Sequence, residues 1–77
     1  MHQLRLPASD SLSTRELEVL GLIAQGETNR GAAARLFISE ATVKTHLLHI
    51  CEKLKVNDRA AAVAAAYERG LLAPRQR

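Results

Sequence analysis

The sequence predicts a compact all-α domain of four short helices. Hydrophobic residues make up 47% of the 77 positions and aromatic residues only 3%, so aliphatic side chains and alanine must form the core. These side chains recur at helical spacing, and no segment alternates apolar and polar residues as a half-buried strand does. Capping residues and glycines divide the chain into segments. We predict helices over residues of about 14–25, 29–36, 40–55 and 58–70.

The first predicted helix begins at a capping box. The Ser13 hydroxyl is placed to accept a hydrogen bond from the Glu16 backbone amide, and the Glu16 carboxylate can reach back to the Ser13 amide. Apolar residues then share one face of the helix, namely Leu17, Leu20, Ile23 and Ala24. Gly26 follows them and suits the left-handed conformation at which many helices end.

The second predicted helix is short and follows Thr28, its expected cap. Its buried side would consist of Ala32, Ala33 and Leu36. Gly31 lies in the first turn, where glycine weakens a helix by roughly 1 kcal/mol relative to alanine. We therefore expect reduced stability in this part of the domain.

The third predicted helix has two distinct sides. It follows the cap Ser39 in the string SEATVKTHLLHICEKLKV, and the side that needs a core carries Val43, Leu47, Ile50 and Leu54. The opposite side carries Ala41, Lys44, Thr45, Leu48, Glu52 and Lys55. A helix, a short turn and a longer helix with a polar outer face form the helix-turn-helix unit. The outer face is therefore a candidate for reading the DNA major groove.

The fourth predicted helix is almost entirely alanine. Asn57 or Asp58 caps it, and Gly70 ends it. One side must cover the core, with Val63 as the expected inward anchor. The other side is smooth and apolar, so a second copy of the chain could approach it closely. Because alanine is the best helix former, the same composition also fits a helix without a partner.

Charge and cysteine content bound the class of protein. The net charge is +3 and the isoelectric point about 9.6, which suits an anionic partner but is common among proteins. The single cysteine cannot form an internal disulfide and fits a reducing compartment. No apolar run approaches membrane-spanning length. We expect a cytoplasmic domain over 12–72, with a linker or lead at 1–11 and a basic tail at 73–77.

The sequence contains no recognisable catalytic or metal site. It lacks a phosphate-binding glycine loop, a nucleophile–base pair and a carboxylate pair in a pocket-forming context. His46, His49 and Cys51 are metal-ligand types, but Cys51 points away from the two histidines and no second cluster completes a tetrahedral site. We therefore predict no enzyme activity, no metal, no cofactor and no small-molecule ligand in this domain.

Three strings resemble the LuxR-type helix-turn-helix domain, the DNA-binding output module of many bacterial regulators. They are LSTRELEVLGLIAQGETNR, LFISEATVKTHLLHICEKLKV and DRAAAVAAAYERGLL, and together they span Leu12 to Leu72. Within the family, the chain most resembles the output domains of NarL/FixJ-type response regulators, in which a receiver domain normally precedes this one. The resemblance implies a four-helix fold whose third helix enters the major groove and whose fourth helix usually forms the dimer contact.

The resemblance also implies which residues contact bases. Lys44 matches the lysine that reaches base edges, and Thr45 matches the next groove-facing position. Leu48 falls where several members have a lysine; it cannot hydrogen-bond a base, but it could pack on a thymine methyl. Another departure is Gly31-Ala32, where the family often has Glu-Ile, which removes a common ion-pair partner.

The resemblance also implies which residues contact phosphates and which form the dimer contact. The positions that touch phosphates at the groove edges are matched by Thr28, Asn29, Arg30 and Thr42. Lys53 belongs to a family Lys-Leu pair and either reaches phosphate or pairs on the surface. On the fourth helix, we expect Ala61 and Ala65 at the dimer interface.

We predict a sequence-specific DNA-binding domain of a bacterial transcriptional regulator, the output module of a two-component response regulator. Its expected partners are double-stranded DNA, a second copy of the chain and RNA polymerase. One alternative is a helical protein-interaction module that dimerises or titrates a related regulator without binding DNA. Another is a promoter-recognition domain of a sigma factor, against which the strings GLIAQGETNR and TVKTH argue. Salt-dependent DNA binding would separate a DNA-reading domain from the interaction module.

Overall fold

The structure, a computed structural model, describes residues 11–73 of the chain. Within those residues there are four helices and no strand, and the helices are α1 (Thr14–Ala24), α2 (Asn29–Leu36), α3 (Glu40–Leu54) and α4 (Arg59–Glu68). The predicted all-α class is confirmed, and each helix boundary lies close to its predicted position. The predicted lead at 1–11 and tail at 73–77 lie outside the described residues, apart from Ser11 and Ala73.

Each helix is preceded by a capping residue whose side chain accepts a hydrogen bond from a backbone amide of the first turn. The four capping residues are Ser13, Thr28, Ser39 and Asp58, which resolves the choice between Asn57 and Asp58. The capping box of α1 is complete, because Glu16 Oε1 also accepts from the Ser13 amide at 2.8 Å. These local bonds fix where each helix starts and how the chain enters it.

Each helix is followed by a residue in the left-handed conformation. Gly26 and Gly70 have φ values of 99° and 75°, as the sequence predicts for helix stops. After α2 and α3 the same conformation is adopted by Phe37 at φ 58° and Lys55 at φ 62°. The turn between α2 and α3 is therefore tight, and it sets the angle at which α3 leaves α2.

The core lies between α3 and the other three helices. The largest fully buried side chains come from α1 and α3, and they are Val19, Leu20, Val43, Ile50 and Leu54. Helices α2 and α4 add small residues to this core, namely Ala32, Ala33, Ala62, Ala65 and Ala66. α3 packs against all three other helices, which uses one side of it and leaves the opposite side exposed.

The inward side of α4 differs from the prediction. Val63, the expected anchor, is only half-buried at the edge of the core, whereas Ala62, Ala65 and Ala66 are buried. Ala65 is 6% exposed, so its methyl group faces the core of its own domain. Because α4 carries alanine on nearly every side, it has no amphipathic pattern that would show from the sequence which side packs inward.

Candidate nucleic-acid interface

The outward side of α3 carries the three predicted base-contact residues. Lys44, Thr45 and Leu48 are all exposed, and Leu48 retains 59% of its accessible surface. They lie opposite the buried residues of the same helix, such as Val43 and Ile50, so core packing holds α3 in place while these side chains face outward. This is the arrangement that a helix needs to enter a groove.

One hydroxyl on this side of α3 is bonded to the helix itself. Thr45 Oγ1 donates to the Ala41 carbonyl oxygen at 3.1 Å, one turn earlier. A threonine hydroxyl in this back-bonded position points along the helix, and the threonine methyl group occupies the other branch of Cβ. Ala41 itself is exposed on the same side.

The start of α2 carries three of the predicted phosphate-contact residues. Thr28 Oγ1 accepts from the Gly31 amide at 2.9 Å and caps the helix, and Arg30 is exposed in the first turn. Asn29 is half-buried, and its Oδ1 accepts a hydrogen bond from Arg59 Nη2. The amides of a helix N-terminus and its partial positive charge favour phosphate oxygens.

A shallow groove brings α2, α3 and α4 together. Its lining residues are Asn29, Lys44, Leu47, Leu48, Cys51, Asn57 and Arg59. The predicted base contacts Lys44 and Leu48 therefore share one surface with the predicted phosphate contact Asn29. A cation from α4, Arg59, borders the same groove.

Thr42 lies at the start of α3, beside the base-contact residues. Its backbone amide donates to the Ser39 hydroxyl at 3.0 Å, and the Thr42 and Ser39 hydroxyls are 2.8 Å apart. Thr42 is half-buried, so its side chain is part of the cap that holds the first turn of α3. Thr42 thus lies at a helix N-terminus, as Thr28 does, and helix N-termini favour anions in general.

Lys53, for which the sequence left open a phosphate contact or an ion pair on the surface, forms an ion pair. Its Nζ lies 2.8 Å from Glu16 Oε1, and its side chain is only 26% exposed. The ammonium group is thus paired inside the domain, between the C-terminal part of α3 and the first turn of α1. We therefore leave Lys53 out of the proposed DNA interface.

The two predicted dimer residues of α4 have different environments. Ala61 is half-buried and accessible, whereas Ala65 is buried in the core and leaves almost no surface for a partner. The exposed side of α4 instead presents Ala60, Ala64 and Tyr67, spaced four and three residues apart. Any partner of α4 would have to bind this side.

The hydrogen bonds of Arg59 to Asn29 and of Thr45 to Ala41 were not evident from the sequence. The hydrogen bond of Arg59 goes to Asn29 of α2, which is 30 residues away in the chain. A long-range partner of this kind leaves no local pattern in the sequence. The sequence does place Ala41 on the outward side of its helix, but the link from Ala41 to Thr45 depends on a side-chain conformation.

Cys51 lines the same groove and is half-buried. Burial raises the pKa of its thiol, and the negative charge of Asp58 raises it further. The thiol therefore stays protonated near neutral pH and acts as a small apolar side chain. Among residues 11–73, no three His, Cys, Asp or Glu side chains lie close enough together to hold a metal ion.

Comparison with known proteins identifies the family. The sequence model of the family described as "Bacterial regulatory proteins, luxR family" matches residues 10–66 of this chain. This range includes all of α1, α2 and α3 and most of α4. The chain belongs to this family. The resemblance predicted from the sequence is thereby confirmed, and α3 is the third helix of a LuxR-type fold.

Similar proteins support the assignment. The probable transcriptional regulatory protein NarL of Mycobacterium tuberculosis is 47% identical over 72 residues, which are 94% of this chain and 33% of NarL. The transcriptional regulatory protein LiaR of Bacillus subtilis is 48% identical over 63 residues, which are 82% of this chain and 30% of LiaR. The crystal structure of the response regulator ChrA of a heme-sensing two-component system matches with a TM-score of 0.79 and 51% identity, covering 91% of this chain and 33% of ChrA.

The chain is a LuxR-type DNA-binding domain of the kind found in transcriptional response regulators. It spans about a third of the length of the curated relatives that it matches. The family is a class of DNA-binding regulators and not a class of enzymes. None of the helices that the structure describes combines the length and apolar character needed to cross a bilayer.

Proposed function

We propose that this domain is the output module of a two-component response regulator and reads the major groove with α3. One observation carries the proposal: Lys44 and Leu48 of α3 line the same groove as Asn29 of α2. Lysine donates to guanine O6 and N7, whereas leucine recognises only apolar base atoms. One surface thus combines base-reading side chains with a helix N-terminus suited to phosphate. Because its ligand would be chromosomal DNA, we also propose that it acts in the cytoplasm.

Phosphate contacts at the ends of two helices would hold α3 in register. Thr28, Asn29 and Arg30 lie at the N-terminus of α2, and Thr42 lies at the N-terminus of α3. Phosphate contacts position a protein on DNA without reading its sequence, and they make the affinity depend on salt. We expect Arg30 to supply most of this salt dependence, because its guanidinium is exposed and makes no ion pair among the described residues.

A second copy of the domain would bind through α4. One domain has too few base-reading side chains to specify a unique site in a genome. A dimer that binds two half-sites reads twice as many bases and can specify such a site. The accessible side of α4 carries Ala61 and Ala64, whose small side chains let two helices approach closely. The DNA-bound dimer would then be able to meet RNA polymerase, the remaining partner that we propose.

The decisive experiment is selection of binding sites from a random duplex library. The enriched duplex is then measured by fluorescence anisotropy at two salt concentrations, with the unselected library as control. Enrichment of a paired motif, bound specifically and weakened by salt, would support the proposal and would give the half-site spacing. If no motif is enriched and no binding occurs at low salt, the proposal fails and a protein-interaction module becomes the better assignment.

A further inference from the structure

A stripe of small and aliphatic side chains runs along the centre of the outward side of α3. It consists of Ala41, Thr45 and Leu48, which are four and three residues apart and are all exposed. On an α-helix, residues with this spacing lie in one row. From the first to the last of these residues the helix rises by seven steps, or about 10 Å, which matches about three base-pair steps.

Thr45 belongs to this stripe through its methyl group and not through its hydroxyl. The hydroxyl already donates to the Ala41 carbonyl oxygen at 3.1 Å. Its single proton is therefore used inside the helix, and the group has no donor left for a base. Ala41 and Leu48 have no polar side-chain atoms. The stripe consequently presents methyl groups at all three positions and no side-chain hydrogen-bond donor, whereas Lys44 supplies a donor at its side.

Only one feature of a base edge in the major groove matches such a surface. The C5-methyl group of thymine is the apolar feature there, while the other groups read by proteins are donors and acceptors. Placing an apolar side chain against those polar groups would leave them unpaired. We propose that Ala41, Thr45 and Leu48 select DNA half-sites by packing on 5-methyl groups of pyrimidines, primarily of thymine. This inference rests on the proposed function and specifies the DNA that α3 recognises.

The charges around the stripe favour DNA over an apolar protein surface as its ligand. Lys44 borders the stripe directly and Arg30 is exposed at the start of α2, while the exposed carboxylate of the same row, Glu52, lies beyond the C-terminal end of the stripe. Cations around an apolar strip suit a ligand with methyl groups in its centre and anionic groups at its edges. The thymine-bearing major groove between two phosphate backbones has this distribution of groups.

The test removes single methyl groups from the DNA. The chain first selects its site from a random duplex library, and each thymine of that site is then replaced in turn by deoxyuridine, which differs only by lacking the methyl. At thymines under the stripe, affinity should fall about fourfold per methyl, the effect of burying one such group. At thymines outside the half-sites, the replacement should change nothing. A duplex with 5-methylcytosine at a sensitive position should bind more tightly than one with cytosine.

Two variants of one residue separate a methyl contact from a hydroxyl contact. Thr45→Ser keeps the hydroxyl and removes the methyl, so it should lose affinity and also lose the sensitivity to deoxyuridine at one position. Thr45→Val keeps a methyl group and removes the hydroxyl, so it should retain both the affinity and the sensitivity to deoxyuridine. Leu48→Ala should abolish the sensitivity at a different thymine. Thermal melts monitor the folding of these three variants, and both substituted positions, Thr45 and Leu48, are exposed.

The outcomes distinguish this inference from the proposed function. If a motif is enriched and bound specifically, but deoxyuridine changes affinity nowhere in it, the inference is wrong and the DNA-reading function stands. The inference is also wrong if Thr45→Val loses binding while Thr45→Ser retains it, because the hydroxyl would then be the reading group. If no motif is enriched, both the function and the inference fall.

Discussion

Lys53 Nζ lies 2.8 Å from Glu16 Oε1, and this ion pair joins the end of α3 to the first turn of α1. The same carboxylate oxygen accepts the Ser13 amide at 2.8 Å, so one atom completes a helix cap and receives a cation. The Glu16 side chain is 7% exposed, which makes both bonds important, since a buried carboxylate without partners is strongly unfavourable. The helix that carries the proposed DNA-facing residues is thereby tied to the start of the domain.

The state of Glu16 predicts that the domain loses stability in acid. Burial alone would raise the pKa of this carboxyl, but hydrogen bonds from Lys53 and Ser13, with the charge of Lys53, hold it below its ordinary value. A carboxyl group whose pKa is lower in the folded than in the unfolded state stabilises the fold. This stabilisation is complete above the unfolded-state pKa of about 4.3 and is lost as the pH falls through the folded-state pKa.

Chemical unfolding between pH 7 and pH 3 measures this effect. Glu16→Gln should lower the free energy of unfolding at pH 7 by about 1–2 kcal/mol, the usual worth of a hydrogen bond to a charged group. Below about pH 4, the difference between the variant and the wild type should shrink. A difference that stays constant across the range would mean that the ionised carboxylate does not stabilise the fold.

Two lysines of α3 should respond oppositely to the same substitution. Lys53→Met should destabilise the fold by about 1–3 kcal/mol, because it leaves the Glu16 carboxylate without its cation. Specific DNA affinity and its salt dependence should remain unchanged in the folded protein. Lys44→Met should abolish specific binding and leave the melting temperature nearly unchanged, since Lys44 is exposed. Loss of salt dependence in Lys53→Met would instead show that Lys53 contacts a phosphate.

Arg59 should influence DNA binding through Asn29. Its guanidinium donates to Asn29 Oδ1, which leaves the amide hydrogens of Asn29 to face a phosphate. No Cα atom of α2 lies within 8 Å of a Cα atom of α4 in the described part of the chain, so this side-chain hydrogen bond bridges two helices that are not backbone neighbours. Arg59→Ala should weaken DNA binding by about 0.5–1.5 kcal/mol, the net worth of a hydrogen bond.

A double-mutant cycle with Asn29→Ala checks the route of this effect. In the Asn29→Ala background, Arg59→Ala should have little further effect on affinity, because its acceptor is already missing. The slope of log affinity against log salt should stay the same. An undiminished loss together with a slope reduced by about 0.9 would show that Arg59 itself neutralises a phosphate.

Phe37 should be a residue whose removal stabilises the domain. It is 94% exposed and adopts φ 58°, a left-handed conformation that is costly for residues with a Cβ atom. Phe37→Gly should raise the free energy of unfolding by about 1 kcal/mol, because it relieves the backbone and gives up almost no packing. Lys55 has a similar φ of 62°, so Lys55→Gly should also raise the free energy of unfolding. Equal or lower stability in both variants would show that the left-handed turns are not strained.

Features set by neighbouring residues could be predicted from the sequence, and features set by distant ones could not. The caps at Ser13, Thr28 and Ser39 and the stops at Gly26 and Gly70 depend on bonds within a few residues, and all five are confirmed. Lys53 and Glu16 are 37 residues apart, so their pairing depends on how α3 crosses α1. The family resemblance supplied the candidate site, because spacing alone shows only that α3 has an exposed side.

The sides of α4 illustrate a different limit. In a helix with aliphatic residues on one side, periodicity identifies the buried face. In RAAAVAAAYE, six alanines surround the helix, and the single Val63 indicated the wrong anchor. Only the packing of the whole domain shows that Ala65 faces inward and Ala64 outward.

That difference provides a test of the proposed dimer. Ala64→Glu places a carboxylate on the accessible side of α4, where it should leave the melting temperature nearly unchanged. In a dimer, the two carboxylates would meet or be desolvated, so binding to a duplex with two half-sites should weaken more than binding to a single half-site. Ala65→Glu is the contrasting variant: it buries a charge in the core and should unfold the domain, with loss of all DNA binding. If Ala64→Glu weakens both duplexes equally, or neither, α4 is not the dimer interface.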